Sequence, residues 1–144
     1  MSRFSTSVGL GGLLAVILLI GPRLVSAADS PINWHTDVAS VLQEARTEGR
    51  PIMMFVTAKW CKYCHKMENV TFTNAAITQK VQDRFVSLMI DADEQPELVE
   101  KFKIDGFPAT LFFGPDGKLC GQAKGYLSPA KAAKWLDKVS PAAE

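Results

Sequence analysis

An unbroken apolar run from Ile52 to Val56, entered from Pro51, leads almost directly into Trp60-Cys61-Lys62-Tyr63-Cys64-His65. Such a run, without polar alternation, suits a strand covered on both faces, in the middle of a sheet with helices above and below. The cysteines open a helical pattern that continues through Met67 and Val70. Their three-residue separation is close to one helical turn, so both thiols lie on one face. The unpaired N–H groups and positive dipole end of that helix favour a thiolate at Cys61, with Lys59 and Lys62 adding positive charge. Cys61 is therefore the expected nucleophile and Cys64 the resolving thiol.

Other chemistries compete for the same string. The pair could be a structural disulfide or two inert core thiols. A zinc site needs four ligands, and no second Cys-x-x-Cys or His pair follows, so no metal is expected. Cys61-x-x-Cys64-His65 is also the attachment signature of c-type haem, with His65 available as an axial ligand. The local string does not separate haem attachment from dithiol chemistry, and the decision passes to the rest of the chain.

At 144 residues there is room for one domain and a leader. Arg3, an apolar core from Val8 to Ile20, the breaker Gly21-Pro22 and the small residues Ser26-Ala27-Ala28 describe a secretory signal peptide over residues 1–28. An uncleaved anchor is the alternative, although the apolar run falls short of the roughly 20 residues a span needs. The domain then covers residues 29–144, and export to the periplasm or beyond is expected. Of 16 Lys and Arg, a leader ending at Ala28 removes Arg3 and Arg23, leaving 14 against 15 Asp and Glu. That balance gives no reason to expect nucleic acid or an anionic membrane surface as partner. Outside the cytoplasm disulfides persist, so a cycling dithiol requires a redox partner to reset it.

After an extended lead-in at Ile32-Asn33-Trp34, Thr36 or Asp37 caps a helix with Val38, Val41, Leu42 and Ala45 on its inner face, ended by Gly49 and Pro51. Beyond the cysteine helix, Thr73 or Asn74 caps a second one carrying Ile77 and Val81. Phe85 to Ile90 is the next strand, and the acidic Asp91-Ala92-Asp93-Glu94 reads as a solvated turn. A short helix from Pro96 to Phe102 precedes the strand Leu111-Phe112-Phe113. Gly114-Pro115-Asp116-Gly117 then turns the chain back into an antiparallel strand, and Ser128-Pro129 starts a last helix with Ala132, Trp135, Leu136 and Val139 inward. This order describes an α/β fold, a central mixed β-sheet flanked by helices in a single domain.

Trp60-Cys61-x-x-Cys64, then Gly106-Phe107-Pro108-Ala109-Thr110, then the Gly114-Pro115-Asp116-Gly117 hairpin resembles the thioredoxin superfamily over nearly the whole of residues 29–144. Ile32-Asn33-Trp34, Lys59-Trp60 and Cys64-His65-Lys66-Met67-Glu68 are similar to exported thioredoxin-like thiol:disulfide interchange proteins. The resemblance implies a thioredoxin-like fold and a cis Pro108 facing the dithiol, with Phe107 binding substrate backbone. It places Trp60, Lys62, Tyr63, Phe107 and Pro108 in substrate binding and Cys61 and Cys64 in catalysis. It further implies no cofactor, a monomer, and protein thiols or disulfides as partners, recycled by a membrane or soluble redox protein. The activity implied is thiol–disulfide exchange, leaning to reduction of protein disulfides because Trp60 precedes the dithiol. A redox-inactive binding module of the same fold is the alternative, and a c-type haem protein the third.

Two departures from the family pattern stand out. A buried acid often lies six positions before the first cysteine, where this chain has Phe55, and the intervening dipeptide is Lys62-Tyr63 rather than Gly-Pro. Resolution by Cys64 requires a proton acceptor, and Glu68, four residues on and on the same helical face, is the catalytic candidate. A solvated Glu68 is the alternative. Cys120, the odd cysteine, reads as a small buried residue on the strand after the hairpin. The sequon Asn69-Val70-Thr71 reads as chance, and His35 as a surface residue.

Overall fold

The computed structural model describes residues 31–139, and the expected leader lies outside them. In chain order the elements are α1 (Val38–Glu48), β1 (Ile52–Thr57), α2 (Lys62–Lys66), a π-helical turn (Met67–Thr71), α3 (Ala75–Arg84), β2 (Val86–Asp91), α4 (Pro96–Lys101), β3 (Ala109–Phe113), β4 (Leu119–Lys124) and α5 (Pro129–Val139). The strands form one mixed sheet in the order β2-β1-β3-β4. β1 runs parallel to β2 and antiparallel to β3, and β3 pairs antiparallel with β4. The expected mixed sheet flanked by helices is present. Among the described residues no helix is long and apolar enough to cross a membrane.

β1 is central because its sequence leaves neither face polar, and all six of its residues are buried. Alternation along the strand assigns them to two layers. Met53 packs in a pocket with Met67, Phe72, Ile77, Leu127 and Leu136 on one side. Ile52 and Met54 face Val38, Val41, Leu98 and Phe102 on the other. Phe55 shares the Met53 side, where its ring meets Phe72 edge-on at 4.9 Å and Trp34 at 5.9 Å. The lead-in that carries Trp34 is pinned by one parallel bridge, His35 to Leu88, on the outer side of β2.

Helix ends follow their residues. The Asp37 carboxylate accepts from the Ser40 N–H at 2.7 Å at the start of α1, and Gly49 closes that helix at φ 67°. Asn74, rather than Thr73, caps α3 by accepting from the Ile77 N–H at 3.3 Å. α5 begins at Pro129, with the Ser128 hydroxyl accepting from the Lys131 N–H at 3.4 Å.

Two expectations are corrected. The cysteine helix does not run as one α-helix through Val70, because α2 gives way to a π-helical turn in which the Phe72 N–H donates to the Met67 carbonyl at 3.0 Å. The widened turn lets Met67, Thr71 and Phe72 all face inward while Val70 is left outside. The Thr71 hydroxyl anchors it by donating to the Leu127 carbonyl at 2.6 Å. Cys120 is exposed rather than buried. It lies on an edge strand at a bulge, where Leu119 pairs with Phe113 and Gly121 with Phe112, leaving Cys120 without a partner residue.

Candidate active site

β1 delivers the chain to the site. Past Thr57, the Cys61 N–H donates to the Ala58 carbonyl at 3.0 Å, a turn that sets Cys61 as the N-cap of α2. Its Sγ accepts from the Cys64 N–H at 3.2 Å, as a capping side chain does. Cys61 and Cys64 form a disulfide with their Cα atoms 5.2 Å apart. Cys61 retains 6% exposure and Cys64 none, so an incoming reagent reaches Cys61 first.

Around Cys61 the surface is apolar and aromatic. Trp60 is 68% exposed and Tyr63 58% exposed, with exposed Lys62 between the cysteines. Trp60 meets the Phe107 ring edge-on at 5.7 Å, and its indole N–H donates to Asp93 Oδ1 at 3.3 Å. Val56 pairs with Ala109, which sets Phe107 and Pro108 beside the end of β1 from which the dithiol loop departs. The Phe107–Pro108 peptide is cis, and Pro108 itself is buried. Residues 46 positions apart in sequence, such as Cys61 and Phe107, thus reach one rim through the β1–β3 pairing.

Charge on the far side of the loop is organised in a short chain. Glu68 is half-buried; its Oε1 accepts from the Thr57 hydroxyl at 2.8 Å and its Oε2 lies 3.5 Å from His65 Nδ1. His65 Nε2 donates to the Lys59 carbonyl at 2.8 Å. These two contacts hold the His65 pKa above its ordinary value, the hydrogen bond to the Lys59 carbonyl being the largest single cause. The Lys59 ammonium pairs with Glu94 at 2.8 Å and Asp91 at 3.8 Å, and that pairing, led by Glu94, raises its pKa. The Lys59 charge is thus paired with the acidic turn, which is not merely solvated. Among the described residues no cluster of three or more His, Cys, Asp or Glu side chains is arranged to hold a metal ion.

The position of the family's usual buried acid is occupied without a vacancy. Phe55 is fully buried in the ring cluster with Trp34 and Phe72. The sequence points to no role for Thr57, and Asp93 reads only as part of a solvated turn and His65 only as a haem ligand or motif residue, whereas all three contact the site. The i, i+3 spacing of His65 and Glu68 was a signal for one contact; Thr57 and Asp93 reach the site only through tertiary packing.

Residues 38–140 match the family model described as thioredoxin-like domain. The thiol:disulfide interchange protein DsbD of Campylobacter jejuni strain RM1221 is 29% identical over 147 aligned residues, covering 96% of this chain and 25% of that protein. The chain spans a quarter or less of the length of the curated relatives it matches. Among solved structures, a thioredoxin from Thermus thermophilus superposes with a TM-score of 0.69 at 23% identity, covering 76% of this chain and 88% of its own. The DsbH oxidoreductase superposes with a TM-score of 0.68 at 19% identity, covering 84% and 91%. At these identities the superpositions establish the fold.

Proposed function

Because the chain belongs to the thioredoxin-like domain family, we propose that it is an exported thiol–disulfide oxidoreductase working through Cys61 and Cys64. The observation that carries this reading is a closed disulfide whose outer sulfur sits at a helix N-cap, beside the exposed rings of Trp60 and Tyr63. A structural disulfide has no use for that rim. The name of the C. jejuni thiol:disulfide interchange protein points to the same chemistry.

In the reducing direction, which we favour, the Cys61 thiolate attacks one sulfur of a substrate protein's disulfide and displaces the other as thiolate. Cys64, once deprotonated, attacks the Cys61 sulfur of the mixed disulfide and frees the second substrate thiol. Two electrons pass to the substrate and the Cys61–Cys64 disulfide closes. Glu68 takes the Cys64 proton, directly or through one water. Trp60, Lys62, Tyr63, Phe107 and Pro108 form the substrate rim. A protein dithiol on the same side of the membrane, soluble or membrane-borne, then reopens the pair. The working protein is a monomer, released into the periplasm from its leader.

Replacing Cys64 with Ser is the direct test. The variant should accumulate mixed disulfides with substrate proteins through Cys61, released by dithiothreitol. Recovery of no adduct would favour a redox-inactive binding module. A Soret band and a haem-sized mass increment on the Cys61–Cys64 peptide, in a host that matures cytochromes c, would favour haem attachment. Direction is read from the reduction potential, near about −270 mV for a reductant and near about −120 mV for an oxidant.

A further inference from the structure

The His65 ring stands between two acceptors. Nε2 lies 2.8 Å from the Lys59 carbonyl oxygen, and Nδ1 lies 3.5 Å from Glu68 Oε2. A peptide carbonyl has no proton to give, and neither has an ionised carboxylate. A neutral ring donates to one of them only. With the proton on Nε2 it leaves the Nδ1 lone pair facing the carboxylate, whereas the imidazolium satisfies both.

The points of attachment give this arrangement its reach. The Lys59 carbonyl belongs to the peptide that continues as the Trp60 N–H, one residue before Cys61. Glu68 is held to the end of β1 by the Thr57 hydroxyl. The ring thereby joins the loop that carries Trp60 and Cys61 to the helix that carries Cys64, and through Glu68 to the central strand.

We propose that His65 is a proton-operated positioning residue for the dithiol loop, clamping the Lys59 carbonyl to Glu68 as an imidazolium and releasing the Glu68 end when it loses its proton. The proposal rests on the dithiol reading given above but not on Glu68 as proton acceptor. The charged groups around the ring come from three segments. Its own helix supplies Glu68 and the exposed Lys62 and Lys66, the last with its ammonium 4.8 Å from the centre of the Tyr126 ring, in the segment before α5. The loop supplies Lys59, turned toward Glu94 and Asp91 of the acidic turn. Asp93 of that turn holds the Trp60 indole. Because both ring contacts favour the charged form, the clamp is closed at mildly acidic pH and opens as pH rises through a midpoint above the ordinary histidine value.

The test is an NMR titration of the purified oxidised protein from pH 5 to 9, following the His65 ring and the backbone amides of Trp60 and Cys61. The ring should titrate above about 6.5, the unperturbed value, and the Trp60 amide should move with the same midpoint. Glu68→Gln should shift the ring midpoint downward. In His65→Gln, whose amide still donates to the Lys59 carbonyl, the Trp60 and Cys61 amides should stay flat, and kcat/KM for disulfide reduction should lose its inflection at that midpoint. A ring that titrates while both loop amides stay still in the parent protein overturns the proposal. So does a His65→Gln variant whose loop amides and kcat/KM profile titrate as the parent's do. Failure of the dithiol reading has a different signature, with no turnover in any variant while the amide titration persists.

Discussion

In the proposed mechanism Glu68 is where the chemistry is most exposed to a single atom change. Its carboxylate is neither free in solvent nor sealed in the core, being held by Thr57 from the strand and His65 from its own helix. The proposed mechanism asks this fixed carboxylate to take the proton of Cys64. Glu68→Gln keeps the shape and an acceptor for Thr57 but removes the basic oxygen. Reduction of insulin should slow about 10-fold or more at neutral pH, at or below the usual range for loss of a general base, while Cys61 alkylation stays nearly intact. Parent-like rates from pH 6 to 9 would leave solvent as the acceptor. Phe55 fills the customary place of the acid with a ring packed on Trp34 and Phe72. A carboxylate there would give up the packing against Trp34 and Phe72 and bear a cost of desolvation.

Among the elements, periodicity made most of the fold readable. α1, α3 and α5 announced themselves by apolar residues at helical spacing and by Asp37, Asn74 and Ser128 at their starts. β1 was legible as central because nothing in it is polar until Thr57. The π-helical turn was not legible, since Met67 and Thr71 are spaced as well for an α-helix as for the wider turn. What selects it is tertiary, namely the seat of Phe72 between Trp34 and Phe55 and the bond from Thr71 to Leu127. The bulge at Cys120 escaped for the same kind of reason, because register between two strands is a property of the pair. The ring cluster sets the stability of this region. Phe55→Ala should cost about 3–5 kcal/mol in urea unfolding, the range for large aromatic truncation in a core, with an unchanged m-value. A loss under about 1 kcal/mol would mean that Trp34 and Phe72 collapse into the gap.

For the molecule as a whole, the sheet order puts the chemistry at one end and the odd thiol at an edge. β1 and β3 are interior, and their adjoining ends carry the dithiol loop and the Phe107–Pro108 peptide. β4 is an edge strand, and its exposed Cys120 lies outside the redox pair. The three cysteines should therefore report the redox state by counting. The native oxidised protein should take one iodoacetamide label per chain, on Cys120, and three after reduction and denaturation, as read by intact mass. Two or more labels on the untreated native protein would show that Cys61–Cys64 is open at rest.

The π-helical turn has a mechanical consequence for the dithiol. Each residue of an α-helix advances the azimuth by about 100°, so one residue more or less between two fixed points changes the phase of everything beyond. The far point is fixed here, with Thr71 and Phe72 seated in the core. The near point is the N-cap at Cys61, which the β1 turn also fixes. The wide turn takes up the mismatch between them like a vernier, and the Asn69 side chain occupies the His65 carbonyl at 2.8 Å. Deleting Val70, whose side chain is exposed, should restore a regular helix between the same two points with little loss of buried apolar surface, leaving Phe72 in its seat and Cys61 at its azimuth. The aim of the reactive sulfur thus survives one residue more than a regular helix would hold, because the wide turn absorbs it.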